Sequence, residues 1–388
     1  MEDTKNPNRM SVEIKEVRTR SELRKFVNFP ELLYKDNPCY VPPLVFDQMD
    51  TLDQKKGAAQ EFCESRLYLA YKDGKPAGRV AAIVNNLANS QWNHKEVRFG
   101  WYDFIDDTEV SSALMAKVEE FGREKGMESV VGPLGFTDFD PEGLLIEGYD
   151  ELSTMALIYN HPYYVKHIED LGFRKDADWI EYKIHIPEKL PDKVERVSAI
   201  ISERAGVHVR RLTRKIIKEE DYGHKIFKLI NECYKDLYNF TVLPDHMADK
   251  YLGFYLTILD LSFVSVVERN EDNEIVAFGI TMPSIARALQ KSRGKLFPFG
   301  WWYLLRSLFI RREEGVEMLL VGVKPEYQNT GLNSLVMVDL FKRFTRAGMK
   351  WAETNAILET NLKNQNQFKA YDPECKKRRR SYIKELKY

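Results

Sequence analysis

The stretch Val321 to Leu335, VGVKPEYQNTGLNSL, has the residue types to hold an anion. A hydrophobic run leads into a short loop with one glycine, and the loop leads into a helical pattern. Amide groups at a helix start are unpaired and carry partial positive charge. They suit a diphosphate. Gly331 leaves the backbone open to close approach. Strand–loop–helix turns with one glycine are common, and Pro325 and Gln328 beside Gly331 make this pattern more specific. Two other groups bear on chemistry. Asp245 and His246 stand in the run LPDH, and Lys376 to Arg380 reads KKRRR. Such a basic run suits phosphate, a lipid headgroup or nucleic acid, or is simply a solvated edge. Cys39, Cys63, Cys233 and Cys375 stand far apart with no CxxC pair. Neither a disulfide scaffold nor a metal site is expected, and reduced thiols in a cytoplasm are.

These residues need elements to position them. A chain of 388 residues exceeds what a single core holds, so two domains are expected. Hydrophobic residues at 44% can fill both cores, which excludes disorder as the main theme. Lys+Arg is 58 and Asp+Glu 59, so nucleic acid is not an expected partner. Arg66 to Asn85 reads as a hairpin about Asp73-Gly74, and Thr108 to Lys125 as an amphipathic helix with Val110, Leu114, Val118 and Phe121 on one stripe. A second hairpin turns at Asn270 to Asn273, and a second helix covers Leu332 to Phe344. The order of elements repeats, which predicts an α/β (α+β) chain of two tandem domains. Residues 1–190 form the first, 191–206 a linker helix and 207–388 the second. Each is expected to be a mixed, mostly antiparallel sheet flanked by helices.

In the second half, Val323, Pro325, Gln328 and Gly331 resemble the acyl-CoA loop of the GNAT acyltransferase superfamily, Val-x-Pro-x-x-Gln/Arg-x-x-Gly-x-Gly/Ala. Asn333 departs from it at the last small position. The resemblance implies acetyl-CoA or acyl-CoA as donor and a sheet that splays open at this strand. Backbone groups of Val321 and Val323 would pair with the pantetheine arm. Gln328, Asn329, Thr330, Gly331, Leu332 and Asn333 would hold the diphosphate. The matching place in the first half, FGWYDFIDDTEVSSAL, has acids and no glycine at the turn, so no cofactor is expected there.

Amine acylation from a thioester needs a base for the amine, donors for the oxyanion and an acid for the thiolate. By element order Glu353, on the next strand, is the leading base, with Asp245 and His246 behind it. The superfamily's thiolate acid is a tyrosine seven residues after an asparagine. Asn364 and Tyr371 match that spacing, and so do Asn361 and Phe368, a register without the acid.

The segment Leu296 to Ile310, LFPFGWWYLLRSLFI, is too short to span a bilayer. It reads either as a buried element or as an interfacial one, with Arg287, Lys291, Arg293, Lys295, Arg311 and Arg312 meeting headgroups. With GPLGF, EGLLIEGYD, YNHPYY and KRRRSYIKEL it resembles a bacterial two-domain GNAT-like family, some members of which N-acylate sphingoid bases. The expectation is a cytoplasmic acyl-CoA-dependent N-acyltransferase with a small-molecule or lipid amine acceptor, in peripheral contact with the inner face of the membrane. The stretch 1–10 is polar and shows no signal region. The alternatives are a non-catalytic binding protein of the same fold, and a peptide-forming transferase that uses aminoacyl-tRNA.

Overall fold

The computed structural model describes residues 12–251 and 259–388. The polar stretch 1–10 lies outside them. Fourteen strands form one sheet. They are β1 (Glu13–Glu16), β2 (Cys63–Lys72), β3 (Lys75–Asn85), β4 (Glu96–Phe104), β5 (Ser129–Gly132), β6 (Leu144–Glu147), β7 (Arg174–His185), β8 (Val207–Arg210), β9 (Val264–Arg269), β10 (Ile275–Pro283), β11 (Gly315–Val323), β12 (Trp351–Thr354), β13 (Ile357–Leu358) and β14 (Glu374–Glu385). Their order is β1-β2-β3-β4-β5-β14-β7-β12-β11-β10-β9-β8, with β6 beside β14 and β13 beside β7. Pairing is parallel at β4–β5 and at β11–β12 and antiparallel elsewhere among the described residues.

Local signals explain the elements. Asp73 and Gly74 both take positive φ, the condition for a tight two-residue turn between β2 and β3. The helix Thr108–Glu124 buries Val110, Leu114, Val118 and Phe121 in one core. The helix Leu332–Arg346 buries Leu332, Leu335, Val336 and Leu340 in the corresponding core of the second half. Helices Arg20–Leu33 and Tyr222–Tyr234 cover the opposite face of the sheet in each half. With both faces covered, β3 and β10 are buried almost throughout.

The two halves exchange their last strands. β14 enters from the second half and pairs with β5 through Tyr382↔Gly132 to Glu385↔Ser129. β7, the last strand of the first half, pairs with β12 through Trp351↔His185 to Glu353↔Lys183. The exchanged strands also pair with each other along their length.

This exchange corrects the expectation for KKRRR. The run is the interior of β14, with Lys377 and Arg379 buried. Lys377 pairs with Glu353 and Glu181, Arg379 with Glu181 at 2.5 Å, and Arg380 with Asp178 at 2.8 Å. Neutralised this way, the run offers no phosphate or RNA patch. Before β14 the chain forms only a short helix, Leu362–Asn366, followed by a 3-10 turn Lys369–Tyr371. No described helix is long and apolar enough to cross a membrane.

Candidate active site

β11 and β12 run side by side only from Gly315↔Trp351 to Met318↔Thr354. Beyond that they part. Asn355 pins the fork, its N–H donating to the Met318 carbonyl at 3.0 Å and its side-chain amide to the Leu319 carbonyl at 3.1 Å. A cleft of about 770 Å³ opens between the strands. Residues 318–323 form one wall and residues 354–358 the other.

The loop expected to hold an anion borders this cleft. Asn329 and Gly331 take positive φ and turn the chain into the helix Leu332–Arg346. No side chain caps that helix start, and the Ser334 amide donates to the Gly331 carbonyl at 2.8 Å, which leaves the Leu332 and Asn333 amides available. Gln328, Asn329, Asn333 and Asn364 line the cleft, as do Val321 and Val323. Thr330 and Gly331 shape the turn, the Thr330 hydroxyl donating to the Tyr327 carbonyl at 2.6 Å. The Leu332 side chain belongs to the core. Lys363 also lines the cleft and has no carboxylate within ion-pair distance among the described residues. Lys324, by contrast, is held by Glu274 at 2.6 Å.

The equivalent place in the first half is closed twice over. Asp107 caps its own helix, accepting from the Glu109 and Val110 amides at 2.9 and 3.2 Å, and pairs with Lys72. The segment 133–136 fills the fork between β4 and β5. There the Leu134 N–H donates to the Phe99 carbonyl at 2.9 Å, and a Cβ at Gly100 would lie 2.5 Å from the Leu134 carbonyl.

Four residues expected to act in catalysis sit elsewhere. Glu353 is buried against Lys377 and does not line the cleft. Burial pushes its carboxyl up, and the Lys377 ammonium opposes this. Asp245 and His246 form an exposed turn, with His246 Nε2 2.6 Å from Glu61. The Tyr371 ring stacks on Phe341 with centroids 4.2 Å apart, and burial pushes its phenol up to about 12. Phe368, from the competing register, lines the cleft instead.

Other polar groups line the cleft. Tyr234 reaches in from the end of its helix and bonds to both backbone groups of Val321. From the first half, the loop Asp138-Phe139-Asp140-Pro141-Glu142 crosses to the cleft, with Asp138 and Glu142 in its wall. The Thr241 amide donates to Asp138 at 2.8 Å, fixing the loop against the second half. The Phe136 and Thr137 amides donate to Asp140 at 2.9 and 3.1 Å. Burial raises all three acids: Asp138 to about 6, Asp140 to about 7, and Glu142 well above the carboxylate range with Asp138 and Asp140 adding to it. Acids at alternate positions in a Pro-Gly loop were the available sequence signal. Among the described residues no cluster of three His, Cys, Asp or Glu is arranged to hold a metal ion.

No protein-family model matches the chain. Protein YghO of Escherichia coli is 27% identical over 383 residues, covering 95% of this chain and 94% of that protein. A bacterial ceramide synthase of Caulobacter vibrioides is 27% identical over 320 residues, 81% of each chain. Among solved structures, a tandem GNAT protein from the clavulanic acid biosynthesis pathway superposes on 97% of this chain and 99% of its own, with a TM-score of 0.56 at 11% identity. A GCN5-related N-acetyltransferase from Sphaerobacter thermophilus covers 97% and 96%, with a TM-score of 0.52 at 12% identity. A mixed sheet, two parallel forks and whole-length superposition on a tandem relative make this chain a tandem protein of the GNAT acyltransferase fold.

Proposed function

We propose that the protein transfers an acyl group from acyl-CoA to the primary amine of a lipid-like acceptor such as a sphingoid base. One observation carries the reading: a single cleft is lined both by the loop before an uncapped helix start and by the carboxylates Asp138 and Glu142. In this reading residues 1–190 are the cofactor-free repeat, 191–206 the joining helix and 207–388 the acyl-CoA repeat. The similarity to a bacterial ceramide synthase supports the acceptor class.

Bound acyl-CoA supplies an activated thioester. Gln328, Asn329, Asn333 and the amides of the helix start hold its diphosphate, and Lys363 adds a positive charge. Edge groups of Val321 and Val323 hold its arm. A backbone N–H of the free β11 edge near Val323 is the donor for the carbonyl oxygen as negative charge develops there. An ammonium is drawn to Asp138 and Glu142, and Asp138, raised to about 6, takes its proton near neutral pH. The neutral nitrogen bonds to the acyl carbon, the carbon–sulfur bond breaks, and the thiolate leaves with the proton that the nitrogen gives up on becoming an amide. In this reading the protein works in the cytoplasm, in peripheral contact with the inner face of the membrane.

The test is to incubate purified full-length protein with a series of acyl-CoAs and amines, and to follow thiol release and amide mass. Release of CoA matched by amide on a long-chain amine is expected. Thiol release with no acyl-CoA and amine pair would overturn the reading.

A further inference from the structure

The segment 296–310 resolves into a turn, the helix Gly300–Leu305 and one wide helical turn Arg306–Ile310. It is fastened from beneath. Ser307 and Leu308 are buried, Leu304 packs on the same core cluster, and a Cβ at Gly300 would lie 1.6 Å from the Lys295 carbonyl. The fastening turns the remaining large side chains outward. Phe297, Phe299 and Ile310 are 78%, 67% and 66% exposed, and Trp301 and Trp302 are 45% each. A contiguous apolar surface of this kind is unusual on a protein that meets only water.

Its charges separate into two sets. Arg293 and Lys295 pair with Glu31 at 3.3 and 2.9 Å, and Arg312 pairs with Asp260 at 2.6 Å. Lys291, Arg306 and Arg311 are exposed and have no carboxylate within ion-pair distance among the described residues. Unpaired cations thus flank an aromatic and aliphatic face on both sides. Half-exposed tryptophans with basic neighbours match the boundary between acyl chains and anionic headgroups. The core cluster beneath, through Leu304 and Leu308, also holds Ile230, Phe240, Leu319 and Leu320, which line the cleft.

We propose that Phe297, Phe299, Trp301, Trp302, Phe309 and Ile310 insert into an anionic bilayer surface while Lys291, Arg306 and Arg311 contact its phosphates. The docking brings the cleft to a membrane-borne amine, and for that purpose it rests on the lipid-acceptor reading. The binding itself does not depend on turnover.

The full chain is mixed with vesicles of phosphatidylcholine alone, or with about one third phosphatidylglycerol, and bound protein is measured by flotation at low and high salt. Binding to the anionic vesicles is expected, weakened by salt, with a blue shift of tryptophan emission. Each cation near such a surface is worth roughly fivefold in partition, so Arg306→Gln with Arg311→Gln should lose roughly 25-fold. Trp301→Ser with Trp302→Ser should lose binding at an unchanged melting temperature. Equal binding by the parent and both double variants overturns the proposal, as does no vesicle binding by the parent. A dimer of the parent that Trp301→Ser with Trp302→Ser dissociates, without vesicle binding, also overturns it and assigns the face to a second copy. Acylation of a short soluble amine by the double variants separates the two readings. If it persists while vesicle binding by the parent fails, only the docking falls; if it is absent from parent and variants while vesicles bind, only the enzyme reading falls.

Discussion

The Tyr234 hydroxyl accepts from the Val321 N–H at 3.1 Å and donates to the Val321 carbonyl at 3.0 Å. Those two groups lie on the free edge of β11, where a pantetheine arm would pair. The tyrosine therefore satisfies the edge, and a bound donor would have to displace it. Tyr234→Phe should lower the stability of the free protein by about 1–2 kcal/mol, since a part-buried amide and carbonyl lose their partner. CoA should bind several-fold tighter to the variant, because binding then restores those bonds. Weaker CoA binding by calorimetry would instead mean that the hydroxyl touches the donor directly.

Asn333 tests the diphosphate end. The position lines the cleft in the first turn of the helix, without the positive φ that would strain any substitution of Gly331. Asn333→Glu places a carboxylate against the phosphates. CoA affinity should fall by roughly tenfold or more, which is about 1.4 kcal/mol. The melting temperature should hold. Unchanged affinity would move the diphosphate elsewhere.

Parts of this site were legible in the sequence because they are local. Gln328, Asn329, Gly331 and Asn333 share one loop, and the hairpin at Asp73-Gly74 and the stripe at Val110, Leu114 and Val118 follow short-range rules. Tyr234, Asp138 and Glu142 were not, because each depends on packing between segments far apart in the chain. The basic run misled for a related reason. Alternate residues of a strand face one side, and Lys377 and Arg379 meet Glu353 and Glu181 there only after β14 has crossed between β5 and β7.

The raised acids set a pH dependence of opposite sign for stability and for turnover. Asp138 titrates at about 6 and Asp140 at about 7 in the folded protein, and near the ordinary carboxylate value when unfolded. Between these values the folded chain holds more protons, so stability should fall as pH rises from about 4 to about 7. Asp140→Asn should remove part of this fall and stabilise the protein at neutral pH, on the order of 1 kcal/mol. Turnover should rise over the same range as Asp138 loses its proton, and Asp138→Asn should lower kcat far more than it raises KM. A pH–rate profile unchanged in Asp138→Asn would remove that residue from proton transfer.

Glu353 provides the contrast. Its carboxylate and the Lys377 ammonium are both buried, and each is the other's main counter-charge. Removing one partner of a buried pair typically costs about 3–5 kcal/mol. Glu353→Gln should therefore lower the melting temperature strongly, with kcat per folded molecule preserved. Normal stability with lost kcat would restore Glu353 as the base.

The strand exchange makes a last prediction about the two halves. β14 supplies the neighbour of both β5 and β7, and β12 borders β7, so the middle of the sheet belongs to neither half alone. A chain ending at residue 206 would leave an edge at β5 and strip β7 of all three of its partners, β12, β13 and β14. Unpaired edges of that length recruit other strands. The first half expressed alone should be aggregated or expanded, and its amides should exchange quickly at Val130, Val131 and Ile180. Co-expressed with residues 207–388 it should be soluble and associate with them one to one, because the exchanged strands restore each other's pairing. The assembled pair should bind CoA at the affinity of the intact chain, since every residue of the cleft, Asp138 and Glu142 included, is again in place. A first half that is monomeric, cooperative in melting and slow to exchange on its own would show that the exchanged strands are dispensable.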